Sequence, residues 1–157
     1  MLERGLVSVS IMEWTAVSAW ADELACAIAR QHDHRYIAIL IHDAPRGLWL
    51  TGQQATGGAD RGLAVVGETY LPLEGSICGR VFRTGVPALL ADVRMDPEYR
   101  PFLGAIMRSE LAVPIRDGDR IIGVVTLESP SFSAFDIDDL ADVVARIGEA
   151  LETFPDG

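Results

Sequence analysis

The chain has 157 residues, of which 49% are apolar and 23% are charged, and these values predict one compact domain. Its formal net charge of −10 at pH 7 argues against nucleic acid or an anionic membrane surface as a partner. All 13 basic residues are arginines, and neither lysine nor asparagine occurs, which excludes a Schiff-base enzyme, a Walker A phosphate loop and N-glycosylation.

The two cysteines, Cys26 and Cys78, are too few for a disulfide framework and lack the CxxC or Cys/His spacing of a structural metal site. No apolar run approaches the ~18 residues of a membrane span, and the N-terminal residues lack the features of a signal peptide. We therefore expect a cytoplasmic protein with no membrane contact and no metal.

The first predicted element is an amphipathic helix over residues 10–30. Its apolar residues recur at spacings of three and four, which places them on one face: Trp14, Val17, Ala21, Leu24 and Ile28. Residues 31–34 end this helix, and the histidines there, His32 and His34, are expected to be solvated. Haem ligation through these two or His42 is the alternative.

Strands and a crossover are predicted over residues 35–128. Alternation predicts strands at 35–42 and 48–53, joined as a hairpin, and a third at 68–73. A short helix from about 76 to 84, an extended segment at 86–92 and a second short helix at 97–107 form the crossover. Strands at 109–115 and 120–128 are joined by a tight turn that contains Asp-Gly.

The last predicted element is a helix over residues 136–154, with Asp136 as its cap. Its apolar residues step by three and four: Ile137, Leu140, Val144, Ile147, Leu151 and Phe154. Together these elements predict an α+β fold, a single domain over residues 1–157 with one antiparallel sheet of five or six strands.

Several stretches, in this order and spacing, resemble the GAF domain family of small-molecule-binding signalling modules. They are residues 73–87 (LEGSICGRVFRTGVP), 91–93 (ADV), 109–115 (SELAVPI), 121–129 (IIGVVTLES) and 132–140 (FSAFDIDDL). The resemblance implies that the terminal helices pack on one face of the sheet, while the crossover encloses a ligand cavity on the other. It also implies a sensory or regulatory domain, and a homodimer formed through the terminal helices.

Two glutamates are the leading candidates for polar ligand contacts. Alternation puts Glu110 and Glu128 on the sheet face opposite the aliphatic core, with Thr126 and Tyr36 beside them. A buried carboxylate needs a partner, and without lysine that partner is an arginine, a backbone donor or a ligand. Pairing with Arg94, Arg100 or Arg108 is the structural alternative to ligand binding.

The crossover supplies the remaining candidate wall residues. They are Asp92, Arg94, Met95, Tyr99, Arg100, Phe102 and Met107. Aromatic and methionine side chains among arginines suit a small organic anion or a flat ring system. For an anion, Arg94 and Arg100 are the first candidates; an ordinary amphipathic lid helix would have a similar composition.

The chain is also similar, in length and in Ile77-Cys78-Gly79, to the free methionine-(R)-sulfoxide reductases, a catalytic branch of the family. These enzymes need a nucleophilic cysteine shortly before the Ser-Glu strand, where this chain has Leu103, and a resolving cysteine. The asparagine and lysine of the cyclic-nucleotide signature are missing too. We therefore expect a binding module for a small cytosolic metabolite, with no catalytic residues; the alternatives are an enzyme of the sulfoxide reductase type and a ligand-free dimerisation or interaction module. Cys78 is expected to be a small apolar core residue or, alternatively, a redox-sensing thiol.

Overall fold

In the part of the chain that the structure describes, six antiparallel strands form one sheet, with three α-helices packed around it. The computed structural model describes residues 11–32, 36–44, 46–55, 65–100 and 107–155. In chain order the elements are α1 (Ile11–Ala29), β1 (Tyr36–Asp43), β2 (Gly47–Ala55), β3 (Tyr70–Leu71), α2 (Ile77–Thr84), β4 (Ala88–Leu90), a 3-10 turn (Val93–Met95), β5 (Ser109–Asp117), β6 (Arg120–Ser129) and α3 (Ile137–Leu151). The strand order in the sheet is β3-β2-β1-β6-β5-β4, and the predicted α+β class with a single antiparallel sheet is confirmed.

The outer face of the sheet carries the terminal helices. Alternate residues of β1, β5 and β6 form a core with α1 and α3 on this face, among them Ile39, Leu111 and Leu127, all fully buried. The Trp20 indole nitrogen donates to the Ala150 carbonyl at 2.7 Å, which joins the two helices directly. Burial of these apolar side chains, more than helix propensity, fixes α1 and α3 on the sheet.

The inner face carries α2 and a second apolar cluster. Leu40, Leu50, Val81 and Val124 are fully buried within it. Ser76 begins α2 by accepting from the Gly79 N–H at 2.9 Å, and Gly85 ends it in the left-handed conformation (φ 71°). A Cβ on Gly79 would collide with the carbonyl oxygens of the preceding segment, so glycine is what allows this helix to lie so close.

The predicted stripe on the last helix is wrong at two positions. Ile137 is 67% exposed and Val144 52% exposed, whereas Val143 is fully buried. The helix is rotated so that Val143 and Ile147 face the sheet, with Leu140 packed beside them. Both stripes follow a three–four spacing, and the shape of the sheet selects between them.

Three further expectations need correction. His32 is 6% exposed rather than solvated, because its ring lies within 3.6 Å of Asp139 and Asp142 on α3. The predicted strands at 68–73 and 86–92 shrink to two and three paired residues. Residues 97–98 form a turn and residues 99–100 have no regular secondary structure, so the predicted helix at 97–107 does not begin there, and residues 101–106 lie outside the described residues.

Candidate functional site

A row of polar side chains crosses three strands on the inner face of the sheet. Glu110 on β5 and Glu128 on β6 are direct cross-strand partners, and Glu128 is in turn paired with Tyr36 on β1. Their exposed fractions are 2%, 1% and 0%. The register of the β5–β6 hairpin thus places two buried carboxyl groups side by side, at the spacing of opposed residues in an antiparallel pair.

Each carboxyl group has one oxygen that accepts no hydrogen bond from the described residues. Glu110 Oε1 accepts from the Thr126 hydroxyl at 2.7 Å, and the Cys78 thiol lies 4.0 Å from the same oxygen. Glu110 Oε2 and Glu128 Oε2 are buried and unpartnered within the described ranges. Buried polar atoms in native proteins are nearly always satisfied, so these two oxygens need donors, which are either a proton held by the carboxyl pair itself or the N–H or O–H groups of another molecule.

Burial dominates the electrostatics of this pair. It raises the pKa of Glu110 to about 7, against a smaller opposing effect of the Thr126 hydrogen bond. Burial also raises the pKa of Glu128 well above its usual range, and the nearby Glu110 charge adds to that rise. The pair therefore holds at least one proton at neutral pH.

Two phenols and a thiol surround the carboxyl groups. The Tyr36 hydroxyl donates to Gln53 Oε1, and Tyr99 hydrogen-bonds with Glu128. Burial raises the pKa of Tyr36, Tyr99 and Cys78, in each case with a further rise from the neighbouring glutamates. These three groups stay protonated at neutral pH, and they make the surroundings donor-rich but uncharged.

The crossover arginines have other partners. Arg94 binds Asp92, two residues away, at 2.9 Å and rests on the Phe132 ring. Arg100 donates to the Gly75 carbonyl. In the described parts of the chain no ion pair joins an arginine to Glu110 or Glu128, so pairing with Arg94, Arg100 or Arg108, the structural alternative, does not occur there.

Arg80, on α2, is the arginine whose charge reaches Glu110. It forms ion pairs with Asp96 and Glu98 at 2.8 and 3.2 Å. Its charge lowers the pKa of Glu110 only as the last of several contributions, well behind burial. The inner-face site is therefore acidic, and Arg94 and Arg100, the first candidates for contacts to an anion, pair with Asp92 and a backbone carbonyl.

Six of the nine candidate contact residues come together on the inner face. They are Tyr36, Tyr99, Met107, Glu110, Thr126 and Glu128, all of them in or packed against the inner cluster or on the row of carboxyl groups. The other three candidates do not contact the carboxyl groups. Arg94 donates to Asp92, and Arg100 donates to the Gly75 carbonyl. Met95 is 81% exposed, and Phe102 lies outside the described residues.

Sequence reasoning missed two neighbours of the site. Gln53, on β2, fixes the Tyr36 hydroxyl, and its place beside β1 follows only from the hairpin register. Cys78 was expected to be a small core residue, and it is indeed a buried free thiol, but its contact with Glu110 depends on how α2 lies across the sheet. Nothing in the sequence around Cys78 predicted that its thiol would lie next to Glu110.

Among the described residues no group of three or more His, Cys, Asp or Glu side chains is arranged to hold a metal ion. None of the helices in the described ranges is long and apolar enough to cross a membrane.

Comparison with known proteins supports the architecture. A model of the GAF domain family matches residues 17–152. A search among curated proteins finds no sequence match.

Solved structures share the fold at low identity. The GAF domain of a phosphoenolpyruvate-protein phosphotransferase from Coxiella burnetii is similar with a TM-score of 0.71 and 19% identity, over 90% of this chain and 85% of that one. Free methionine-R-sulfoxide reductase from Neisseria meningitidis, in complex with its substrate, gives 0.69 and 21%, over 91% and 86%. The type II enzyme from Thermoplasma acidophilum gives 0.69 and 16%, over 89% and 94%. At such identities the likeness shows the fold alone.

Proposed function

The chain belongs to the GAF domain family, and from this premise we propose that it is a non-enzymatic sensory domain that binds a small cytoplasmic metabolite at Glu110 and Glu128. The observation that carries the proposal is the pair of buried carboxyl oxygens without a partner among the described residues. An unsatisfied buried polar group costs about 1–3 kcal/mol, and more when charged. A ligand that supplies the missing hydrogen bonds recovers that free energy on binding, so the site is built to favour the occupied state.

Ligand binding at the two glutamates would be transmitted to the terminal helices through β5 and β6. On β5 and β6 the residues next to the carboxyl groups, Leu111 and Leu127, point to the opposite face and lie in the core under α1 and α3. A ligand that shifts the two strands on the inner face therefore moves this core on the outer face. The Trp20–Ala150 hydrogen bond makes α1 and α3 respond together.

A homodimer through the last helix is part of the same proposal. Ile137 and Val144 on α3 are exposed, and so are Val86 and Leu89 beside and on the edge strand β4. Val144 lines a surface groove together with Pro87 and Pro114. Burial of these side chains against a second copy would remove large apolar groups from water.

The second candidate function is sulfoxide reduction, which the fold shared with the Neisseria meningitidis and Thermoplasma acidophilum enzymes favours. Cys78 is buried on the inner face, and its pKa is raised by burial, which disfavours the nucleophilic thiolate. Cys26 lies on α1, across the sheet from Cys78. A resolving disulfide between the two would have to pass through the sheet, so we place this function second.

Native mass spectrometry of freshly purified protein tests the first function, because it reports bound small molecules and the number of subunits together. We expect a protein mass increased by a small molecule, lost in Glu110→Ala and kept in Glu68→Gln, a control at an exposed glutamate. A thermal-shift screen with a broad metabolite panel accompanies it. No bound mass and no stabilising compound in the panel would refute the binding proposal.

A turnover assay separates the second function from the first. Free methionine sulfoxide is supplied with a thioredoxin system, and the wild type is compared with Cys78→Ser. We expect no reduction by either protein. Turnover that the substitution abolishes would establish the enzyme and overturn the non-enzymatic assignment.

A further inference from the structure

The chemistry of the site narrows the class of ligand. When both carboxyl groups are ionised, the unpartnered atoms Glu110 Oε2 and Glu128 Oε2 are hydrogen-bond acceptors, and the groups that contact the pair directly, Thr126, Cys78 and Tyr99, have no positive charge. We propose that the ligand is a small organic cation whose N–H groups, on a primary ammonium or a guanidinium, donate to these two oxygens. This inference rests on the proposed function, because it assumes that the inner-face site binds a small molecule.

Charge balance favours a cation over the other classes. Among the described arginines of the crossover, Arg80, Arg83, Arg94 and Arg100 are occupied by carboxylates or backbone carbonyls, and Arg108 lies over the Phe132 ring; lysine does not occur in the chain. An anion would meet two carboxyl groups, and the cation whose charge reaches Glu110, Arg80, is already paired with Asp96 and Glu98. A neutral acceptor would receive a hydrogen bond from the protonated carboxyl group, but it would leave the other oxygen without a donor.

Hydrogen-bond number favours a nitrogen with several donors over a single hydroxyl. The two unpartnered oxygens belong to cross-strand partners, so they lie within reach of one small group. An ammonium has three N–H donors and a guanidinium has up to five in a plane, whereas a hydroxyl has one. Hydrogen bonds between charged groups are about twice as strong as neutral ones.

The rest of the ligand would meet apolar and aromatic groups. Cys78 and Met107 are buried in the inner cluster, and Tyr99 packs against it. Thioether and aromatic side chains accept a variety of apolar shapes. The site therefore suits a cationic head on a short apolar body.

A cation also competes with the proton that the pair holds when empty. Its binding favours the ionised carboxylates, so protons leave for the solvent as the ligand enters. Because burial raises the pKa of Glu110 to about 7, the affinity for a cation should rise as pH rises through neutrality. A neutral or anionic ligand would show no such increase.

The test uses butylammonium as the probe, with butan-1-ol and butyrate as neutral and anionic compounds of similar size. Binding is followed on the isotope-labelled full chain by shifts of the Glu110, Thr126 and Glu128 amide signals. We expect butylammonium to bind more tightly than either control, and more tightly at pH 8 than at pH 6. Loss of both charges in Glu110→Gln/Glu128→Gln should weaken it at least about tenfold, since a charge-assisted hydrogen bond is worth about 1.5–3 kcal/mol. Glu68→Gln should leave the affinity unchanged.

Calorimetry in two buffers of different ionisation enthalpy adds the proton count, which we expect to show release. The inference is overturned if butan-1-ol or butyrate binds as well as butylammonium, or if the double variant keeps the affinity. If the cation proposal fails in this way but native mass spectrometry finds a neutral or anionic small molecule bound to the protein, the proposed binding function is still supported. If the site holds no molecule of any kind and butylammonium also fails, both proposals fall.

Discussion

The carboxyl pair should make the empty protein less stable at neutral pH than at mildly acidic pH. In the folded state burial raises the pKa of Glu110 from its ordinary 4.5 to about 7. Below pH 4.5 both the folded and the unfolded chain hold this proton, and the pair costs nothing by this mechanism. Between pH 4.5 and about 7 the unfolded chain releases the proton first, so the free energy of unfolding falls as pH rises. Above about 7 the loss is complete.

Glu110→Gln removes this penalty and keeps the shape of the side chain. Each pKa unit corresponds to about 1.4 kcal/mol, so the shift from 4.5 to about 7 predicts a gain on the order of 3 kcal/mol at neutral pH. The glutamine oxygen can still accept from Thr126, and its new N–H group can donate to the unpartnered Glu128 Oε2. We therefore expect the variant to be the more stable protein at pH 8 and nearly equal to the wild type at pH 4.

Urea unfolding at several pH values between 4 and 8 measures the difference. Glu68→Gln, at an exposed position, should stay within about 0.5 kcal/mol of the wild type at every pH. If Glu110→Gln is instead less stable than the wild type at neutral pH, the Glu110 carboxylate is charged and stabilised in the folded state. That result would refute both the raised pKa and the idea of an unfilled acceptor pair.

Other substitutions test the framework around the site. Cys78 is buried, and burial raises the pKa of its thiol. A thiol reagent should therefore modify the half-buried Cys26 first and Cys78 only on unfolding, as measured by peptide mass. Prompt labelling of Cys78 in the folded protein would contradict its buried position. Gly123→Ala should lower the free energy of unfolding by about 1–3 kcal/mol, because the added Cβ would collide with a backbone carbonyl of β1. Gly148→Ala, which has open space around it on α3, should raise the free energy of unfolding by up to about 1 kcal/mol. Equal effects of the two substitutions in urea unfolding would contradict the close approach of Gly123 to β1. Asp136→Ala removes the capping box of α3 and should cost about 1 kcal/mol, visible as a lower melting temperature, and no change would mean that the cap is not formed in solution.

Much of the inner-face site could be predicted from the sequence, because β5 and β6 alternate regularly. A strand with a period of two has only two faces, so Leu111 and Leu127 on the aliphatic face place Glu110 and Glu128 on the other. The Asp-Gly turn then sets the hairpin that brings the two glutamates opposite each other. The crossover has no such regular alternation, so its side-chain contacts could not be predicted in this way. Arg94, for example, donates to Asp92, two residues away, and does not contact the two glutamates as predicted.

What the sequence by itself determined was therefore the class of fold, the order of its strands and helices, and the two carboxyl groups that share a face. The tertiary structure alone decided which stripe of α3 is buried, that His32 packs against α3, and that Arg94 pairs with Asp92 rather than with the two glutamates. The physical reason is that alternation and helical spacing are local properties of the chain. Which partner a side chain meets depends on how separate elements pack, and in this protein that packing leaves two buried carboxyl oxygens without a described partner.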